Sequence, residues 1–170
     1  MKKILLAVAV AAVATMAVAS AASAAPGITT HTVTVNAATD GVVDLPALNS
    51  QFTKMTIKVN DGSANWGTDA SRHTAYSSGS WSTPESLTSG IWGDPTLPGH
   101  GPLLLEGTQV GVVIYRVDGG PWHEVKATEA PTFIATDGGT HNVQVAYNDR
   151  PGSYDDNSGA LTLTVVRTKA

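Results

Sequence analysis

Apolar and polar residues alternate with a period of two in five stretches of the chain: 30–35, 55–59, 110–117, 143–147 and 161–165. Valine, threonine, isoleucine and tyrosine dominate them, which predicts β-strands with one buried face and one solvated face. After the N-terminal segment no window of ten or more residues carries a helical apolar stripe, because Gly, Pro, Ser and Asn interrupt every candidate. Four Asp-Gly pairs begin at Asp40, Asp61, Asp118 and Asp137 and mark hairpins and strand ends, where positive φ is easily adopted. Short antiparallel strands with turn signals at this density predict an all-β fold, a jelly-roll-like β-sandwich of two antiparallel sheets.

Between residues 60 and 107 the alternation stops. This region is rich in Ser, Gly, Thr and Pro, with Trp66, Trp81 and Trp92 set among polar residues, and it reads as one long loop region. Its tryptophans give it surface to bury, either for function or to cover the open edge of the sandwich. Trp122 reads as a covering residue of the same kind.

The first 24 residues change the picture of the whole. Lys2 and Lys3 precede an apolar run that ends in Ala22-Ser23-Ala24, a small-residue cleavage pattern, so residues 1–24 read as a secretory signal peptide and 25–170 as one domain of 146 residues. The apolar run is shorter than the roughly 20 residues a membrane span needs. The expected location is therefore secreted or periplasmic, without a membrane span. Loss of the two lysines would take the formal charge from −4 to −6. With no cluster of Lys or Arg, nucleic acid is not an expected partner. The chain has no cysteine, so its core must hold without a covalent staple.

Candidate chemistry concentrates in residues 147–159, Tyr-Asn-Asp-Arg-Pro-Gly-Ser-Tyr-Asp-Asp-Asn-Ser-Gly. Asp149, Asp156 and Asn157 offer side-chain oxygens and Pro151-Gly152 lets the backbone fold back. Carbonyls between them can complete the six to eight oxygen contacts that Ca²⁺ prefers. For an isolated loop of this composition, a polar turn stitched by Asx hydrogen bonds is the plainer reading. The five histidines are scattered and none pairs at a zinc-ligand spacing. No Gly-x-Ser-x-Gly elbow or other recognisable catalytic set is present, and the chain is not expected to be an enzyme.

The run Tyr147-Asn148-Asp149, Pro151-Gly152, Tyr154 and Asn157-Ser158-Gly159 resembles, without a gap, the C-terminal loop of the Pseudomonas PA-I-type galactophilic lectins, small calcium-dependent sugar-binding β-sandwiches. The similarity extends more weakly to residues 55–59 with Trp66-Gly67, to 92–101, to 111–117 and to 160–166. The resemblance implies Ca²⁺ held by Asp149, Asp156 and Asn157 and by the backbone carbonyls of Ser153 and Trp66. It implies galactose held by Asp149, Asp156, Asn157, Trp66, Pro98, His100 and Arg150, and assembly as a homo-oligomer, a tetramer by family habit. Asp156 stands where the family has Asn, which adds a ligand charge and predicts tighter calcium binding. Leu97-Pro98-Gly99-His100-Gly101 stands where the family has His-Pro-Asp-Gln-Gly, so Leu97 loses a hydrogen-bonding partner and His100 can replace the Gln. The expected function is binding of galactose-containing glycans through vicinal hydroxyls on the ion. The alternative is an exported structural or adhesive module whose calcium only locks the loop.

Overall fold

The computed structural model describes residues 27–67, 73–77, 80–82, 102–126 and 130–169. The expected signal peptide lies outside them. Among the described residues there is no helix, and the chain forms eleven strands: β1 Ile28–Asn36, β2 Val43–Asp44, β3 Lys54–Val59, β4 Gly62–Asn65, β5 His73–Ser77, β6 Ser80–Ser82, β7 Val113–Val117, β8 His123–Glu124, β9 Thr132–Ile134, β10 Val143–Tyr147 and β11 Ser158–Thr168. All pairings are antiparallel, in a seven-stranded sheet and a four-stranded sheet ordered β2-β10-β7-β8. The fold is all-β and sandwich-like, as the alternation predicts.

The long strand β11 organises the larger sheet. Along one edge it pairs with β1 from Ile28↔Thr168 to Asn36↔Ala160. Along the other it pairs first with β3 and then with β4. Between Val59↔Leu163 and Ala64↔Gly159 five steps on one strand oppose four on the other, so the Asn60–Asp61 corner holds one extra residue in the manner of a β-bulge. The Asp61-Gly62 pair therefore marks a bulge. Only Asp118-Gly119 closes a hairpin, between β7 and β8, with Asp118 itself at φ 50°. The pairs at Asp40 and Asp137 lie where the chain crosses from one sheet to the other.

Alternation places Val35 of β1, Met55, Ile57 and Val59 of β3, and Leu161, Leu163 and Val165 of β11 on the inner face. Val113 of β7 and Val143, Val145 and Tyr147 of β10 meet them from the other sheet. Each such side chain contributes about 1.5–3 kcal/mol through its removal from water. A slip of one residue in β11 would turn this set outward, which ties the register to the pattern.

Three expectations need correction. The strand expected at 110–117 begins only at Val113, because the chain turns at Gly111, whose φ is +82°. The long loop region expected from residue 60 contains β4, β5 and β6, short strands of Ser, Thr, Ala and Asn that carry little apolar alternation. The outer face of the smaller sheet is not fully solvated: Val112, Ile114 and Ala146 are buried there beneath Trp81, Leu104, Leu105 and Trp122. Trp81 bridges both layers, with its ring edge-on to Tyr76 and its indole N–H donated to the Val125 carbonyl at 2.9 Å. Trp122 lies under the Arg116 guanidinium, 4.5 Å from the ring centre.

Candidate functional site

Residues 148–157 connect β10 of the smaller sheet to β11 of the larger one, so the calcium-loop candidate is the crossover that closes one end of the sandwich. Its shape follows from local chemistry. Arg150-Pro151-Gly152-Ser153 forms a tight turn in which the Ser153 N–H donates to the Arg150 carbonyl at 3.0 Å. Pro151 suits the second position of such a turn, and Gly152 supplies the positive φ, +86°, that the third requires. A second turn follows, with the Asn157 N–H donating to the Tyr154 carbonyl at 3.2 Å, and it carries Asp155 and Asp156 at its exposed tip.

The two turns bring Asp149 and Asn157 together. Asp149 is 5% exposed and Asn157 6%, and the Asn157 Nδ2 donates to Asp149 Oδ2 at 2.8 Å. The same amide nitrogen donates to the Ala37 carbonyl at 3.0 Å, while Asn157 Oδ1 accepts from the Gly67 N–H at 2.9 Å. Asp149 Oδ1 accepts from the Arg150 N–H at 2.7 Å. Beneath them the Tyr154 hydroxyl donates to the Tyr147 and Asp149 carbonyls. Three segments far apart in the chain thus meet on one amide side chain.

The electrostatics follow from this burial. Loss of hydration pushes the Asp149 carboxyl above the ordinary carboxylate range, opposed by the Asn157 amide, the Arg150 N–H and the Arg150 guanidinium; the Asp156 carboxylate adds to the upward push. A buried carboxylate raised by dehydration and by a neighbouring carboxylate is a group that a cation would stabilise.

The expected site residues divide into three groups. Asp149 and Asn157 are joined directly. Asp156 is exposed, close enough to act on Asp149 through its charge, and Ser153 is half-buried with its Oγ enclosed and without a hydrogen-bond partner among the described residues. Trp66 reaches the pair through its peptide bond to Gly67. Since that peptide is trans, the Gly67 N–H that points at Asn157 Oδ1 turns the Trp66 carbonyl the other way. Its indole belongs to the core. Arg150 is 8% exposed, and its charge acts on Asp149. Pro98 and His100, with the rest of residues 97–101, lie outside the described residues.

The donor set suits a hard cation. It consists of carboxylate, amide, hydroxyl and peptide oxygens, and an ionised carboxylate has about four lone-pair directions, of which Asp149 uses two here. Among the described residues no three His, Asp or Glu side chains converge in a metal-holding group, so calcium binding would rely on the neutral oxygens of this loop as well as on the Asp149 and Asp156 carboxylates.

Asn148, adjacent to the site, escaped the reading of the sequence. It is fully buried. Its Oδ1 accepts from the Leu105 N–H at 2.9 Å, and its Nδ2 donates to the Leu105 and Gln109 carbonyls at 3.2 and 3.0 Å. Its backbone meets Val112 and Gly111, and the Leu104 N–H reaches the Asp149 carbonyl at 3.1 Å. Asn148 thereby fastens residues 104–112 against the base of the candidate loop. An Asn directly after the apolar strand 143–147 was the available signal.

The chain matches no protein-family model and no curated protein. Among the described residues no helix is long and apolar enough to cross a membrane.

Proposed function

We propose that this chain is an exported, calcium-dependent carbohydrate-binding protein for galactose-containing glycans, acting by binding alone. The observation that supports this reading most is the buried Asp149–Asn157 pair, a raised carboxylate beside a carbonyl-bearing amide at the end of a rigid sandwich. Asp149, Asp156 and Asn157, with the Ser153 carbonyl, would hold the ion, whereas the Trp66 carbonyl faces away from Asn157 Oδ1. A bound calcium would supply coordination for two vicinal hydroxyls of the sugar.

The chain's own residues supply the selectivity. Asp149 and Asp156 accept hydrogen bonds from sugar hydroxyls, and bonds to ionised acceptors are about twice as strong as neutral ones. The exposed tip at Asp155 and Asp156 leaves the sugar an open approach, whereas the buried base holds Asp149 and Asn157 in fixed orientation. One shallow site of this kind binds weakly, and several sites on one homo-oligomer, a tetramer in this proposal, raise avidity by about 10²–10⁴. Calorimetric titration with galactose, run with calcium and again with EDTA, tests the reading. Heat that appears only with calcium supports it, and heat unchanged by EDTA removes the metal from the mechanism.

A specific observation favours a second reading. Every polar atom of the Asn157 side chain is engaged in joining residues 37, 67 and 149, which is what a purely structural lock requires. In that case calcium would raise stability while a glycan array stayed blank at every calcium concentration.

A further inference from the structure

His141 sits between two carboxylates. Its Nδ1 lies 2.7 Å from Asp118 Oδ2 and its Nε2 lies 2.9 Å from Asp137 Oδ1. A neutral imidazole carries one N–H and can donate to only one of them; the imidazolium donates to both. Two carboxylates facing the two ring nitrogens therefore select the charged form. The carboxylates hold His141 above its ordinary value near 6.5, mainly through the hydrogen bonds they accept from its ring, Asp137 first and then Asp118.

The two arms differ in construction. Asp118 sits at the β7–β8 turn, twenty-three residues from His141, and its second oxygen accepts from the Asn142 N–H at 2.8 Å. That arm joins two separate parts of the smaller sheet. Asp137 belongs to the turn that leads into His141, and its Oδ1 is shared between His141 Nε2 and the Gly139 N–H at 2.9 Å. It is also the more exposed, at 63% against 47% for Asp118. The His141 backbone is fixed on the other side by its paired bonds with Leu48. Leu48, Val117, Phe133 and Ile134, which share a cleft of about 410 Å³ with Asp137 and His141, carry no charge. Asp118 and Asp137 are thus the ionised groups facing the ring.

We infer that His141 is a proton-operated latch: the imidazolium ties the Asp118 and Asp137 carboxylates together, and loss of one proton frees the Asp137 arm while Nδ1–H keeps Asp118. Release falls on the Asp137 side because its contact is longer, its acceptor oxygen already has the Gly139 N–H, and its side chain is better hydrated. The 137–141 turn, one wall of the cleft at β9, then loses the side-chain bond that closes it.

Nitrogen-15 NMR of the full-length protein labelled at histidine and along the backbone tests the latch. The expected result is a His141 midpoint above 6.5, both ring nitrogens protonated below it and the Nδ1–H tautomer above it. The Gly139 amide should shift with the same midpoint. Asp118→Asn and Asp137→Asn should each lower that midpoint. A midpoint at or below 6.5, an Nε2–H tautomer at high pH, or a Gly139 amide indifferent to the titration would overturn the inference.

Discussion

The Asn157 side-chain amide donates to the Asp149 carboxylate at 2.8 Å across a turn eight residues long, and both groups are buried. That contact closes the candidate loop on itself, and the bonds of Asn157 with Ala37 and Gly67 join the loop to the sandwich. Asn157→Ala would strand the Gly67 N–H, the Ala37 carbonyl and one oxygen of Asp149, and is expected to cost about 2–4 kcal/mol, since each buried group left unsatisfied costs about 1–3. Urea unfolding of the variant measures it, and a loss under about 0.5 kcal/mol, the range of an ordinary surface change, would show that the contact does not hold the loop.

Calcium should reverse the handicap of Asp149. Its folded carboxyl titrates above the unfolded value, so the folded state binds the proton more tightly and, without metal, stability falls as pH rises from the unfolded value through the raised one. Calcium and the proton compete for the same oxygens. Calcium affinity is therefore expected to weaken as pH falls through the raised Asp149 value, and the melting temperature to rise with calcium most strongly above it. Melting curves across pH with calcium or EDTA would show this, and a calcium effect independent of pH would argue for a site elsewhere.

Asp149→Ala should abolish calcium binding and retention on galactose resin together. Retention that persists would separate sugar binding from this loop. Loss of calcium binding in a protein that never bound galactose would favour the structural reading.

Gly111 and Gly119 share positive φ, +82° and +70°, but not surroundings. A Cβ on Gly111 would collide with the Thr74 hydroxyl and with the Tyr147 hydroxyl, whereas one on Gly119 meets open space. Gly119→Ala is expected to cost about 1 kcal/mol from backbone strain alone. Gly111→Ala should cost about 3 kcal/mol or more, strain and overpacking together. Equal melting temperatures for the two variants would contradict this account of the 110–112 turn.

Asn148→Ala should remove the bonds its side chain makes with the Leu105 N–H and with the Leu105 and Gln109 carbonyls. The expected loss is about 2–4 kcal/mol. Hydrogen exchange should speed up selectively at the Leu105 amide, and protection unchanged there would place the strength of this segment elsewhere.

The alternation in 30–35, 55–59, 143–147 and 161–165 was enough to find β1, β3, β10 and β11, because a strand buried on one face writes period two into its own residues. The turn residues Pro151 and Gly152 were equally legible, since their φ preferences are local. β4 and β5 were not: Gly62, Ser63, His73 and Ala75 are strand residues because β11 supplies hydrogen-bonding partners to β4, and β4 in turn to β5. Asp61-Gly62 looked like a turn for the same reason. A bulge exists only relative to a neighbouring strand.

Composition, period and turn chemistry thus established an all-β chain and where its oxygen-rich loop would lie, since those signals act between residues a few positions apart. Which oxygens of that loop are buried, and that Asn157 meets Ala37 and Gly67 while Asn148 meets Leu105, depended on two sheets closing over one another. Such partners stand tens of residues away, and hydrogen bonds at that separation form only once packing has brought the strands together.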